Sequence, residues 1–132
     1  MYALPCAVYA NALAGGYTIV RVDELDREYG KWVLLRRALG LQSFGMNLVE
    51  IPPGEDIPDH DETGRDQEEV FIFLSGNASM LVEGERHPAP AGTYARFDPQ
   101  TGRQVVNDGD EAAVVLIVSA PCSSGYEPMD WA

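Results

Sequence analysis

Between residues 44 and 119 the chain is broken at intervals of roughly ten residues by turn-forming clusters, and this punctuation limits what it can fold into. The breaks are Pro52-Pro53-Gly54, Ser75-Gly76-Asn77, Gly84-Glu85, Ala91-Gly92, Asp98-Pro99-Gln100-Thr101-Gly102 and Asp108-Gly109-Asp110. Proline and glycine set the backbone angles of tight turns, and Asp or Asn beside them bonds the local backbone. The runs between them are short and rich in β-branched and aromatic residues, so each is expected as a strand: 44–51, 69–74, 78–83, 86–90, 93–97, 103–107 and 112–119. In 44–51 the alternation puts Phe44, Met46, Leu48 and Glu50 on one face, and Asn47, Val49 and Ile51 on the other. The run EVFIFL at 69–74 is apolar on both faces, as a central strand of a two-layer fold requires. Upstream, 17–22 and 31–39 are expected as further short strands, and 23–29 as the one helix, capped by Asp23 and stopped at Gly30. About nine short strands and at most one short helix make an all-β domain, a sandwich or a closed jelly-roll barrel.

The 132 residues suffice for a single domain with its own core, and a hydrophobic share of 45% favours a folded chain over a disordered one. Residues 1–16 read as an uncharged arm ending in Gly15-Gly16, 40–120 as the barrel core and 121–132 as a tail. The arm is either loose or a strand that pairs with a neighbouring subunit. A net charge of −12 with only nine Lys and Arg argues against phosphate-backbone recognition, so no nucleic-acid partner is expected. The same charge disfavours an anionic membrane surface, and no apolar run approaches the length of a membrane span. Cys6 and Cys122 show no CxxC or Cys/His spacing, which leaves free thiols or one bridge between the termini. The start of the chain lacks the basic residues and long apolar core of a signal peptide, and a cytoplasmic location is expected.

Residues able to carry chemistry are concentrated in the stretch PPGEDIPDHDETGRDQEEVFIFLSG at 52–76, where His60 lies in a dense run of carboxylates. Gly54 is followed after five residues by His60, and Glu69 after six residues by Gly76. Further on, Gly92 is followed after five residues by Asp98, with Arg103 and Asn107 beyond it. This spacing resembles the two motifs of the cupin family: Gly, five residues, His-x-His, three or four residues, Glu, six residues, Gly; then Gly, five residues, Pro-x-Gly, two residues, His, three residues, Asn. The resemblance spans roughly residues 40–120 and implies a single cupin domain at 1–132, a double-stranded β-helix (jelly-roll) barrel. It also implies a site, since cupins of the metal-binding kind hold a divalent ion with three histidines and one glutamate. Here the second histidine is Glu62, the third is Arg103, six residues separate Glu62 from Glu69, and Pro-x-Gly has become Asp98-Pro99-Gln100.

His60, Glu62 and Glu69 offer one imidazole and two carboxylates, a ligand set that iron, manganese or zinc accepts. Arg103 opposes a cation, because a guanidinium stays charged and cannot coordinate; turned inward, it would pair with Glu69 or Glu62. On a metal-free reading, Arg103 holds an anionic small molecule while His60, its pKa raised by Glu62 and Glu69, acts as general acid or base. The candidate site is therefore His60 and Glu69 as catalytic groups, Arg103 and Glu62 as ligand-binding groups, and His60, Glu62 and Glu69 as ligands of one divalent metal or of none. Two functions fit: a metal-dependent dioxygenase-like or isomerase-like enzyme, and a metal-free binding or sensing module. The resemblance and the apolar arm together imply a homodimer through the N-terminal strands. Asp59, Asp61, Asp66 and Glu68 are expected on a solvated face, His87 on the surface, and Asn107 at a strand end bonded to backbone.

Overall fold

The computed structural model describes residues 14–132, which fold into nine strands and one α-helix. The strands are β1 (Trp32–Val33), β2 (Gly45–Ile51), β3 (Asp56–His60), β4 (Gln67–Ser75), β5 (Asn77–Val82), β6 (Glu85–Pro90), β7 (Tyr94–Phe97), β8 (Arg103–Val106) and β9 (Ala113–Pro121), and the helix is α1 (Leu35–Leu39). One sheet has the order β1-β2-β9-β4-β7 and the other β3-β8-β5-β6, with every pairing antiparallel. Consecutive strands repeatedly change sheet, from β2 to β3, β4 to β5 and β7 to β8, which is the jelly-roll path.

Alternation decides what lies between the sheets. Val49 and Ile51 of β2, Phe71 and Phe73 of β4, and Val115 and Ile117 of β9 point inward against Ile57, Met80 and Val105 of the other sheet. Phe71 and Phe97 meet edge to face, with ring centres 5.5 Å apart. Burial of each large apolar side chain contributes about 1.5–3 kcal/mol, so this layer is the main source of stability. On the outer side of the larger sheet a smaller cluster of Val33, Leu35 and Leu48 is covered by Val22 and Leu25.

The turns explain how the strands reach this register. Gly76 joins β4 to β5 with φ of 89°, and a Cβ there would stand 2.7 Å from the Ala112 carbonyl oxygen and the Ala113 Cα. Only glycine fits both that angle and that approach. Glu83 and Gly84, both with positive φ, form the two-residue turn between β5 and β6 that the strand twist favours.

Three local expectations are corrected. Residues 17–22 form no strand; Tyr17 and Ile19 are exposed, so alternation there has no buried face to define. The helix expected over 23–29 is one 3-10 turn, Val22–Glu24, and the helix forms instead at Leu35–Leu39, within the run expected as a strand. Its sequence LRRAL consists of strong helix formers, Leu35 anchors it in the small cluster, and Gly40 ends it in the left-handed conformation. Residues 56–60, which show no strand pattern in the sequence, form β3, because Ile57 is buried in the core opposite Val105. The expected N-terminal strand pairing and Cys6 fall largely in residues 1–13, outside the described residues. Among the described residues no helix is long and apolar enough to cross a membrane.

Asn107 ties this frame together. It is fully buried, its Nδ2 donates to the carbonyls of Ile51 and Glu111 at 2.8 Å each, and its Oδ1 accepts from the Gly109 amide at 3.1 Å. The expected strand-end role is thus met by bonds to three separate backbone groups. Asn107→Leu, which fills the space but leaves these groups unsatisfied, is expected to lower unfolding free energy in urea by roughly 2–4 kcal/mol. A loss under about 1 kcal/mol would show that water replaces the amide at little cost.

Candidate functional site

Three strands of the larger sheet turn from apolar to polar at one level of the barrel. Along the inner face of β2, Ile51 and Val49 give way to Asn47 and Gly45; along β9, Val115 and Ile117 give way to Ser119; along β4, Phe73 and Phe71 give way to Glu69 and Gln67. Register aligns these changes, because Ser119 lies opposite both Gly45 and Glu69. The core therefore ends in a polar mouth. The opposite sheet brings His60, at the end of β3, to the same mouth, with Arg103 of β8 as its cross-strand neighbour.

Arg103 sits beneath this mouth with no exposed surface. Its Nη2 donates to Glu69 Oε1 at 2.7 Å, and its Nη1 donates to the carbonyls of Thr101 (2.7 Å), Asp98 (3.2 Å) and Pro99 (3.4 Å). The guanidinium also lies over the Phe97 ring, 5.4 Å from its centre. The expected ion pair with Glu69 forms, through one nitrogen and one oxygen rather than bidentately. Holding an anionic ligand, the alternative role for Arg103, would require the overlying groups to part, because the guanidinium has no exposed surface and only its Nε is left without a partner.

His60 is partly exposed, and its bonds fix which nitrogen faces the site. Its Nδ1 lies 3.0 Å from the Pro58 carbonyl oxygen, which can only accept, so Nδ1 carries hydrogen. Its Nε2 then faces Glu69 Oε1 at 3.6 Å and Glu62 Oε1 at 3.9 Å. A bare lone pair aimed at two carboxylates is unfavourable, so the arrangement favours a proton or a cation on Nε2. The Glu69 contact, outweighing burial, raises the His60 pKa above its ordinary value. For Glu69, burial pushes the pKa up, but hydrogen bonding from His60 and Arg103 prevails and holds it below the usual glutamate value.

The three ligand-type groups expected from the sequence are thus brought together: one donor atom each from His60, Glu62 and Glu69 lies within 4.8 Å of the others. Glu62 reaches this place because its backbone amide donates to the Pro99 carbonyl at 2.8 Å, next to the loop that Arg103 organises. Asp59, Asp61, Asp66 and Glu68 are exposed, as a solvated face predicts, and His87 is a surface residue beside Glu85. Phe71, Phe73 and Phe97 belong to the core, while Tyr94 is exposed.

A cleft of about 480 Å³ opens beside the cluster, bordered by Glu62, Glu69, Gln67, Asn47, Ser119, Arg36 and Arg65. Sequence reasoning placed none of the last five at the site. The signal existed for Asn47, the polar member of an inward face otherwise made of Val49 and Ile51. For Ser119 and Gln67 it required the β4–β9 register, which no local pattern supplies.

No curated protein sequence matches this chain. Solved structures do. A cupin protein from Bacteroides fragilis superposes with a TM-score of 0.72 at 22% identity, covering 87% of this chain and 92% of its own. A sugar phosphate isomerase of the cupin superfamily from Silicibacter pomeroyi gives 0.60 at 29% identity; the match covers 67% of this chain but only 57% of that one. A predicted oxalate decarboxylase from Thermotoga maritima gives 0.66 at 20% identity, over 79% of this chain and 99% of its own. The first and third of these share the fold alone at such identities. Residues 47–119 match the sequence profile of the Cupin domain family, which is more than half of the chain. With the jelly-roll path and the mouth between its sheets already in place, the chain belongs to the cupin domain family.

Proposed function

We propose that this cupin binds one divalent metal ion through His60 Nε2, Glu62 and Glu69, and uses the site on a small organic molecule held in the adjacent cleft. The observation that carries this reading is the Nδ1 contact with the Pro58 carbonyl, which turns the other ring nitrogen onto two carboxylates. One nitrogen and two oxygen donors suit iron(II), manganese(II) or zinc. A bound ion would act as a Lewis acid on a substrate oxygen. The chain's own groups set that up: Pro58 fixes the imidazole tautomer, Arg103 fixes the Glu69 carboxylate, and the Pro99 carbonyl fixes Glu62. Between the two enzyme classes expected, the isomerase-like one is favoured by the 29%-identical sugar phosphate isomerase from Silicibacter pomeroyi. A second reading has a specific observation behind it: the raised His60 pKa also suits a metal-free acid–base pair with Glu69.

Elemental analysis separates the two. Wild-type protein purified without a histidine tag and reconstituted is expected to carry one equivalent of metal, lost in both Glu62→Ala and His60→Ala. Because the ion displaces the Nε2 proton, binding near pH 6 should release about one proton, seen as a buffer-dependent enthalpy in calorimetry. Wild-type protein that stays metal-free after reconstitution leaves only the acid–base reading.

The metal-free protein carries its own pH signature. The raised His60 pKa stabilises the fold below the ordinary value of 6.5, and this contribution fades as pH rises through the higher folded value. The lowered Glu69 pKa stabilises above the ordinary value of 4.5, and this contribution fades as pH falls through the lower folded value. The stability difference between chelator-treated wild type and His60→Asn is therefore expected to peak between pH 4.5 and 6.5 and shrink on either side. A flat difference would mean that His60 and Glu69 do not interact as charges.

We also propose that two copies associate, as the resemblance implies, and that besides the N-terminal arm the outward face of the larger sheet takes part. Val70, Ile72 and Leu74 of β4 stand there beside Leu116, Val118 and Tyr94, and Leu74 and Tyr94 are exposed. Light scattering should give twice the protomer mass, and Leu74→Asp should restore the monomer; a monomeric wild type removes the proposal.

A further inference from the structure

The distribution of cations points to the kind of molecule the cleft takes. The chain has 21 Asp and Glu against nine Lys and Arg, so a cation without a carboxylate beside it is unusual here. Six of the nine lie within ion-pair distance of a carboxylate: Arg21, Arg27, Lys31, Arg86, Arg96 and Arg103. Arg36, Arg37 and Arg65 make no such pair among the described residues, and two of these three, Arg36 and Arg65, border the same cleft as Glu62 and Glu69. They come from separate places, Arg36 from α1 and Arg65 from the 3-10 turn Thr63–Arg65. Arg36 is steadied by a bond from its Nη1 to the Leu41 carbonyl at 3.2 Å.

The remaining lining is neutral and rich in hydrogen-bonding groups, with Asn47, Gln67 and Ser119 on the barrel side. Gly45 keeps the serine accessible, because a Cβ at that position would stand 2.5 Å from Ser119 Oγ. Carboxamides and a hydroxyl suit the hydroxyl and carbonyl groups of a polar ligand, while two unneutralised guanidiniums suit its charge. The sealed Arg103 leaves that charge to the rim.

We infer that the cleft is an anion-selective site in which Arg36 and Arg65 hold the carboxylate or phosphate of a small hydroxylated or carbonyl-bearing molecule. This deepens the small-molecule reading of the site and rests on it, but it does not require a metal. The class it takes is an organic anion such as a hydroxy acid or a phosphorylated sugar, and a neutral polyol is expected to bind more weakly because it offers the two guanidiniums no charge.

Calorimetric titration of chelator-treated protein tests this, with glucose 6-phosphate, malate and glucose as probes. Glucose 6-phosphate or malate is expected to bind and glucose to give no heat, the tighter of the two anions identifying phosphate or carboxylate as the preferred group. Arg36→Gln and Arg65→Gln should each weaken the anion by roughly tenfold. Arg37→Gln removes the same charge outside the cleft and should leave the affinity unchanged. The titrated protein is chelator-treated throughout, so its anion binding does not depend on whether a metal is taken up on reconstitution, and failure of the metal reading and failure of this one are separable. Absence of anion binding to wild type, equal binding of glucose, or unchanged affinity in the Arg36→Gln/Arg65→Gln double variant would each overturn the inference.

Discussion

A buried guanidinium needs carboxylate and carbonyl oxygens around it, and Arg103 has Glu69 and three carbonyls of the preceding loop on its two terminal nitrogens, with only Nε left unpartnered. Leaving one member of such a pair buried alone costs about 3–5 kcal/mol, so the two side chains and the loop stand or fall as a unit. The pair also joins the sheets, because Glu69 belongs to β4 and Arg103 to β8. Arg103 is thus an internal brace between the two sheets. It holds the Glu69 carboxylate at the mouth of the barrel and the Pro99 carbonyl for the Glu62 backbone.

That division of labour accounts for the departures from the family pattern. Where the family motif has a third histidine, this chain has a fixed positive charge, and the Glu69 carboxylate pairs with it. The lengthened spacing before Glu69 is used by the 3-10 turn Thr63–Arg65 and by Asp66 in the left-handed conformation with φ of 52°. The additional residues do not simply loop out; they carry Arg65 to the rim of the cleft.

The architecture was legible because turn chemistry is local: prolines, glycines and Asx residues cut the chain where the sheets require it. His60, Glu69, Arg103 and Asn107 were legible for a related reason, since motif spacing ties each to a strand end. Two kinds of feature were hidden. The helix at Leu35–Leu39 and the strand at Asp56–His60 were decided by tertiary burial of Leu35 and Ile57, against what their neighbours suggested. The cleft was hidden because it is assembled across strands: Glu69 and Ser119 meet only through the β4–β9 register. Burial of Arg103 was equally invisible, as an arginine in a motif position reads the same whether it faces solvent or core.

The edges of the smaller sheet, β3 and β6, have a consequence for how the protein behaves in a crowded solution. Val82 and Glu85 close the two-residue hairpin as a bonded pair, so the outward-facing amide positions of β6 are Arg86, Pro88 and Pro90. Two of these three have no hydrogen to offer, and β3 carries Pro58 as well. A strand approaching β6 meets acceptors with one matching donor, that of Arg86, so edge-to-edge growth into extended β-aggregates is disfavoured there at the backbone itself.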